Sequence, residues 1–131
     1  MAMFLFTDAI INNKPIKVFN KGNLSRDFTY IDDIVYGVVN TLVKDTKNDT
    51  LYKLYNIGNG KPVQLIDFIA SLENTLDISA KKKMLPMQAG DVHKTFANTT
   101  SLKRDYNYKP QITIDKGIQE FVLWYKTYYN K

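Results

Sequence analysis

Hydrophobic residues along this chain follow two kinds of spacing. Apolar residues three and four positions apart predict helices, which we place at residues 2–12, 32–44, 64–76, 99–106 and 113–129. Shorter apolar runs with alternating character predict strands, which we place at residues 16–19, 28–30, 54–57 and 83–86. Helices that alternate with short strands are typical of a small two-layer α/β domain.

Capping and turn residues mark the ends of these elements. The first helix is expected to stop before Pro15, because the residue before a proline avoids helical backbone angles. Asp32 is placed to cap the second helix, Thr99 or Thr100 the fourth, and Thr113 the last. Polar and glycine-containing stretches predict loops at residues 20–23, 44–50, 58–62 and 88–94.

Three helices have a pattern clear enough to name their buried faces. The second helix is expected to bury residues at helical spacing, namely Ile34, Val38, Thr41 and Leu42. The third helix has the strongest pattern, and its expected core residues are Leu65, Phe68, Ile69, Leu72 and Leu76. The last helix carries an aromatic cluster that is most simply a packed face, formed by Phe121, Trp124, Tyr125, Tyr128 and Tyr129.

Composition narrows the possible classes of function. The 131 residues suffice for one domain, residues 1–131, with a core that needs no disulfide or metal. The absence of cysteine excludes thiol nucleophiles and cysteine-based metal sites. The sequence shows neither a membrane-spanning run nor a signal peptide, so we predict a cytoplasmic location. The net charge of +5 allows an anionic partner, either a nucleotide diphosphate or a nucleic acid.

The segment from Asn23 to Ile34 holds the most informative candidate for chemistry. Arg26 follows a turn, where backbone amides are free, and its guanidinium group can bind two phosphate oxygens with charge-assisted hydrogen bonds. The alternative is an ion pair with a nearby carboxylate, namely that of Asp27, Asp32 or Asp33. Spacing favours neither alternative, and we assign the three carboxylates mainly to capping and to orienting Arg26.

Two further polar features are most simply part of the solvated surface. His93 is the only histidine, and no second histidine, cysteine or obvious orienting partner accompanies it. Lys81, Lys82 and Lys83 form a short basic run of the kind that usually faces solvent. Neither feature predicts a metal site or an acid–base pair.

Four segments together resemble one known family. In chain order they are residues 26–33 (RDFTYIDD), 55–60 (YNIGNG), 85–92 (LPMQAGDV) and 121–125 (FVLWY). Taken in this order, they resemble the C-terminal part of nucleotide-sugar epimerases and dehydratases, which are extended short-chain dehydrogenases/reductases. The resemblance covers nearly all of the chain, and it is strongest to the UDP-glucuronate 4-epimerase branch.

The resemblance implies a substrate-binding half without its Rossmann half. In that family the N-terminal half binds NAD on a glycine-rich turn, and a Tyr-x-x-x-Lys pair carries out the proton chemistry. Here Val63 stands where a third glycine after Gly58 and Gly60 is needed, and none of the nine tyrosines has a lysine four residues later. We therefore expect no catalytic residue and no cofactor in this chain, although NAD serves the full-length family.

The resemblance also assigns roles in binding a UDP-sugar. It places Arg26 on the diphosphate, Phe19 with its neighbour Val18 beside the uracil, and Tyr30 at the rim of the pocket. A strand end offers a backbone amide and a carbonyl to the edge of the base, and the Phe19 ring offers a wall. The simpler alternatives are that Phe19 is an ordinary core residue and Tyr30 an ordinary strand residue.

A loop around Gly90 supplies the remaining two candidates. The resemblance places Asp91 over the nucleotide, where it accepts hydrogen bonds from ribose hydroxyls or holds a neighbouring arginine or amide. Gln88 stands where many relatives have an arginine, and it can donate to a phosphate oxygen without adding charge. The simpler alternative for Asp91 is a turn residue.

Three functions follow as hypotheses. The first is the UDP-sugar-binding half of an NAD-dependent epimerase or dehydratase, which is not catalytic alone. The second is a subunit that completes its pocket with a separate dinucleotide-binding chain. The third and weakest is a basic nucleic-acid-binding module, suggested by interleaved lysines and tyrosines. An uncovered domain interface leads us to expect self-association, and the residues present do not identify the sugar.

Overall fold

The computed structural model describes residues 2–44 and 52–131. Its helices are α1 (Ala2–Ile11), α2 (Ile31–Val43), α3 (Leu65–Leu76), α4 (Thr100–Tyr106) and α5 (Ile114–Tyr129). Its strands are β1 (Ile16–Val18), β2 (Ser25–Arg26), β3 (Val63–Gln64) and β4 (Lys82–Met84). A short 3₁₀ segment, Phe19–Gly22, follows β1 and has a kink at Asn20 and Lys21, whose φ angles are 47° and 51°. Most of the loop predicted at 44–50 lies outside the described residues.

The strands form two small sheets. Strands β1 and β4 are parallel, with Lys17 opposite Lys83, and β2 and β3 are antiparallel, with Ser25 opposite Gln64. The segment after β4 adds one bridge to the other side of β2, where Ser25 pairs with Lys94. The strand predicted at 83–86 is confirmed in type, but it begins one residue earlier and ends two residues earlier than expected, and in the described part of the chain it is an edge strand.

The main core lies between helices α1, α3 and α5 and strand β1. All five residues predicted for the third helix are buried, and Phe68 at its centre is stacked on Phe28 with 4.7 Å between ring centroids. Helix α5 begins as predicted, with the Thr113 hydroxyl accepting from the Lys116 amide at 3.3 Å. The buried hydroxyl of Tyr125 on α5 donates to Asp8 on α1 at 2.9 Å, and burial raises the pKa of Tyr125 to about 12.

A second, smaller core connects α2 and α4 to the middle of the chain. Tyr108 is fully buried beside Leu102, and its hydroxyl donates to the Gly58 carbonyl at 3.0 Å. Burial raises the pKa of Tyr108 to about 12. Asp33, which is also buried, accepts the backbone amides of Gln111 and Ile112 at 2.8 and 3.1 Å. This carboxylate therefore joins the start of α2 to the segment that precedes α5.

Two predicted strands are wrong. Residues 28–30 contain no strand, because the backbone ladder of β2 ends at Arg26, opposite Val63. Residues 54–57 are also irregular, since no described strand lies beside them. An extended segment needs a neighbouring backbone to accept and donate its hydrogen bonds, and apolar composition alone does not supply one.

The predicted buried face of α2 is wrong as well. Its buried residues are Asp33, Gly37 and Asn40, whereas Leu42 is 78% exposed. Helix α2 packs through Gly37, where an added Cβ would lie 2.9 Å from Ile57 Cγ2. The residue that caps the helix is Tyr30 in extended conformation, and Asp32 lies inside the first turn, where a carboxylate still favours the helix dipole.

Two smaller corrections concern the helices near the C-terminus. Thr99 precedes α4 as predicted, but its side chain caps nothing, and Asn98 Oδ1 accepts the Thr100 amide instead at 3.1 Å. Of the aromatic cluster on α5, Tyr125 is buried while Trp124 and Tyr128 are 48% and 66% exposed. No helix in the described residues is both long and apolar enough to cross a membrane.

Candidate functional site

Strand β2 holds Arg26 between two neighbouring segments. On one side β3 pairs with it through Val63 and Gln64. On the other side the Ser25 amide donates to the His93 carbonyl at 2.9 Å, and the Thr95 amide donates back to the Ser25 carbonyl at 3.2 Å. The backbone that carries Arg26 is therefore fixed from both directions, although β2 has only two residues.

The Arg26 guanidinium group is anchored at one end. Its Nη2 donates to Asp91 Oδ1 at 2.5 Å, and its Nη1 donates to the carbonyls of Ser25 and His93 at 2.9 and 3.5 Å. Arginine has five N–H donors, so two of them have no partner among the described residues. A guanidinium group oriented in this way offers its remaining donors to an anion.

The carboxylate that pairs with Arg26 is not one of its neighbours in the sequence. None of the three carboxylates considered as partners of Arg26, those of Asp27, Asp32 and Asp33, pairs with it in the described residues, and Asp91 does. The side chains of Arg26 and Asp91 are 25% and 31% exposed. The pair therefore lies at the surface of the domain and is accessible to a ligand.

A cavity of about 530 Å³ opens beside this ion pair. Phe19 and Leu65 contribute apolar walls, while Lys17, Arg26 and Asp91 contribute charge. Helix α1 closes one side with residues that include Leu5, Phe6 and Ala9. A largely apolar cavity whose lining includes two cations suits a ligand that combines a flat apolar part with an anion.

A second groove is also lined by Arg26. It has a volume of about 750 Å³, and Tyr30, Ile34 and Phe121 contribute to its largely apolar lining. Arg26 and Phe28 line both spaces. Tyr30 is therefore separated from the first cavity and belongs to the groove beside it.

The structure brings three of the six predicted binding residues together and leaves three apart. Phe19, Arg26 and Asp91 line the first cavity. Val18 lines neither space, because its side chain is fully buried and its carbonyl accepts the Leu85 amide at 2.9 Å. Gln88 is exposed and also lines neither space, while its carbonyl accepts the Asp91 amide at 3.1 Å.

Asp27 has a role that the sequence analysis missed. Its carboxylate accepts the Ala97 amide at 2.9 Å and the Gly60 amide at 3.0 Å, so Asp27 does not orient Arg26 by a direct ion pair. Its own amide donates to Thr95 Oγ1 at 3.0 Å.

The glycines at 58 and 60 do not fit the phosphate-binding turn of a dinucleotide site. The Gly60 amide donates to Asp27, so it is not free for a phosphate, and the carboxylate itself would repel one. Gly58 is buried, and an added Cβ there would lie 2.5 Å from Ala97 Cβ. These glycines allow close packing within the domain, and we assign no NAD-dependent step to them.

The remaining polar candidates stay at the surface. His93 is exposed, with its Nδ1 3.4 Å from Asn20 Nδ2. Lys82 is not simply solvated, because it forms an ion pair with Glu73 at 2.6 Å. Among the described residues no cluster of three or more histidines and carboxylates could hold a metal ion.

Comparison with known proteins identifies the family. Residues 1–58 match the NAD dependent epimerase/dehydratase family. Over its whole length the chain is 42% identical to Protein CapI of Staphylococcus aureus and 38% identical to a probable UDP-glucuronate 4-epimerase of Rhizobium meliloti. The chain therefore matches part of the proteins of the NAD-dependent epimerase/dehydratase family. It spans 43% of the length of each of these two relatives, so it corresponds to a part of them.

A solved epimerase structure confirms the fold. UDP-glucuronic acid 4-epimerase from Bacillus cereus, in complex with UDP-glucuronic acid and NAD, is 29% identical and superimposes with a TM-score of 0.89. The match covers 98% of this chain and 40% of that one. The mixed α/β domain predicted from the sequence is thus the fold of part of an extended short-chain dehydrogenase/reductase epimerase.

Proposed function

We propose that this chain supplies the UDP-sugar-binding part of an epimerase that resembles UDP-glucuronate 4-epimerase. The observation that supports this most is the Arg26 guanidinium group, held by Asp91 with two donors unpartnered among the described residues, at a cavity walled by Phe19. The similarity to the Bacillus cereus enzyme, which contains UDP-glucuronic acid, points to the same ligand class.

Each part of the ligand has a suitable partner in the cavity. The unpartnered Arg26 donors suit diphosphate oxygens, and Lys17 adds a second positive charge to the same lining. The Phe19 ring offers a flat apolar surface to a base. Asp91 uses its Oδ1 for Arg26 and the Val92 amide, which leaves its Oδ2 for a ribose hydroxyl.

Binding is the activity we propose for this chain alone. In the family NAD accepts and returns a hydride, and we propose no NAD site within this chain. Neither a Tyr-x-x-x-Lys pair nor a glycine-rich turn is present in the sequence. We therefore expect a UDP-sugar affinity lower than that of a complete enzyme, because only part of the ligand is contacted.

Calorimetric titration with UDP tests the proposal through Arg26. We expect saturable UDP binding that weakens by about 10-fold to 100-fold in Arg26→Ala, because hydrogen bonds to charged groups are worth about 1.5–3 kcal/mol. UDP-glucuronate is expected to behave in the same way and NAD to give no heat. Thermal-shift measurements on the same proteins verify that the variant is folded.

Arg104→Ala is the matched control. The chain has only two arginines, each followed by an aspartate, and Arg104 lines neither cavity. Arg104 forms an ion pair with Asp105 at 2.7 Å and holds the pKa of that carboxyl well below its usual range. Unchanged UDP binding in Arg26→Ala, or no binding of millimolar UDP by the unmodified chain, would contradict the proposal.

A second candidate function is a subunit that forms its pocket together with a separate dinucleotide-binding chain. The observation that favours it is the outer face of α2, which consists of Ile31, Val35, Val38, Val39 and Leu42. These side chains are 42–78% exposed and share one side of the helix. An uncharged apolar face of this length is typical of a surface that another domain or chain covers.

The outer face of α2 predicts self-association when no partner is present. We expect dimers or larger species at high protein concentration, and we expect Leu42→Lys to shift the population toward monomer, because the charge must be desolvated at the contact. Sedimentation velocity over a range of concentrations measures the effect. Ile78→Lys, at a 41% exposed position outside α2, is the control, and a monomer at every concentration would refute the prediction.

A further inference from the structure

The segment that carries Asp91 runs alongside β2, to which one bridge at Ser25 and Lys94 joins it. The first two contacts are between backbones, at Ser25–His93 and Thr95–Ser25. The next two use side chains, since the Asp27 amide donates to Thr95 Oγ1 at 3.0 Å and the Ala97 amide donates to Asp27 Oδ2 at 2.9 Å. The Asp27 carboxylate thus extends the ladder beyond the point where the two backbones separate.

The same carboxylate holds a second loop. The Gly60 amide donates to both oxygens of Asp27, at 3.1 and 3.0 Å, and the neighbouring Asn59 amide donates to Thr29 Oγ1 at 3.0 Å. Gly58 brings this loop against Ala97 without room for a side chain. Asp27 is therefore the common acceptor for two loops, those of Gly60 and Ala97, which are in contact at Gly58 and Ala97.

The segment 91–97 links Asp27 to Asp91 and, through Asp91, to Arg26. Residues 93–97 are attached to β2, and Asp91, only two residues before His93, reaches back to Arg26. If the attachment at Ala97 is lost, only the contacts nearer to Ser25 restrain the Asp91 segment. The orientation of the unpartnered Arg26 donors depends on Asp91, and hence on Asp27.

We propose that Asp27 is a positioning residue, which fixes the segment 91–97 so that Asp91 orients Arg26 for an anionic ligand. The proposed effect of Asp27 on the orientation of Arg26 does not depend on which ligand the chain binds. The effect on UDP affinity rests on the function proposed above.

Asp27→Asn tests the proposal without a ligand. The amide keeps the shape of the side chain, but its NH2 group faces the Gly60 N–H in place of Oδ1, and the negative charge that both backbone donors share is lost. We therefore expect amide hydrogen exchange at Gly60, Ala97 and residues 91–95 to accelerate by about tenfold. Because the chain has only two arginines, the NMR signal of the Arg26 Nε–H group is readily separated from that of Arg104. We expect the Arg26 signal to shift and the Arg104 signal to stay.

Asp33→Asn is a matched control. Asp33 also accepts two backbone amides, those of Gln111 and Ile112, in a part of the domain that does not contact Arg26. We expect Asp33→Asn to lower stability while leaving the exchange of residues 91–95 and the Arg26 signal as in the unmodified chain. Wild-type exchange and an unshifted Arg26 signal in Asp27→Asn would overturn the proposal, as would equal changes in both variants.

UDP titration then separates this inference from the proposed function. We expect Asp27→Asn to weaken UDP binding by about threefold to tenfold, and to have no further effect in an Arg26→Ala background, because both changes remove the same interaction. UDP binding that depends on Arg26 but not on Asp27 would overturn the inference alone. Absence of UDP binding by the unmodified chain would contradict the function, and the exchange and NMR measurements would still decide the role of Asp27.

Discussion

Phe68→Ala is expected to lower the free energy of unfolding by about 3–5 kcal/mol, the usual cost of removing a buried aromatic ring. Phe68 is fully buried at the centre of α3, stacked on Phe28 and 6.3 Å from the Phe6 ring centroid. Its ring therefore joins α1, α3 and the segment after β2. A domain of this size has about 5–15 kcal/mol of stability in total, so the variant loses a large share of it.

Urea unfolding monitored by circular dichroism measures this loss, with Phe96→Ala as the control. Phe96 has the same side chain but is 60% exposed, and a surface substitution of this kind changes stability by only about 0.5 kcal/mol or less. A loss below about 1 kcal/mol in Phe68→Ala would show that the interface between α1 and α3 is not the main core.

Gly58→Ala is expected to cost about 1–3 kcal/mol, since an added methyl group in a filled space forces the backbone to move. The new Cβ would lie 2.5 Å from Ala97 Cβ and 3.4 Å from Asp27 Oδ2. Ala97 has no flexible side chain that could rotate away, so the segment 95–97 must shift as a whole. The shift also strains the hydrogen bond from the Ala97 amide to Asp27.

A compensating variant distinguishes this steric effect from a general intolerance of substitution. In Gly58→Ala combined with Ala97→Gly, the methyl group is moved from one side of the contact to the other, and we expect most of the lost stability to return. A small cost remains, because glycine at position 97 loses more backbone entropy on folding. A double variant no more stable than Gly58→Ala alone would show that the contact with Ala97 is not the cause.

Helices α3 and α5 were predictable because their signals are local. The five apolar positions of α3 recur at helical spacing, and all of them are buried. Thr113 precedes α5 as a threonine that caps its third residue, Lys116. Spacing and capping depend on residues within one or two turns, so the sequence contains the information for both.

The errors concern contacts between distant parts of the chain. Helix α2 has apolar residues on more than one side, and the side that packs is the one with Gly37, because only a glycine lets Ile57 and Tyr108 approach so closely. Residues 54–57 have the composition of a strand, but no described strand lies beside them. The pattern of apolar residues along the chain shows which faces could be buried, but it does not show which distant segment will pack against them.

The same division holds for the candidate site. From the residues alone, Arg26 was identifiable as a group that could bind an anion or pair with a carboxylate, and Asp91 as an acceptor for a hydroxyl or a neighbouring arginine, because charge and hydrogen-bonding capacity are properties of the side chains. Their direct contact, 65 residues apart in the chain, depends on the attachment of residues 93–97 to β2. So does the role of Asp27, whose two amide donors lie 33 and 70 residues further on. Hydrogen bonds over such separations are formed only when the core brings the loops together, and this is why folding was needed to define the site.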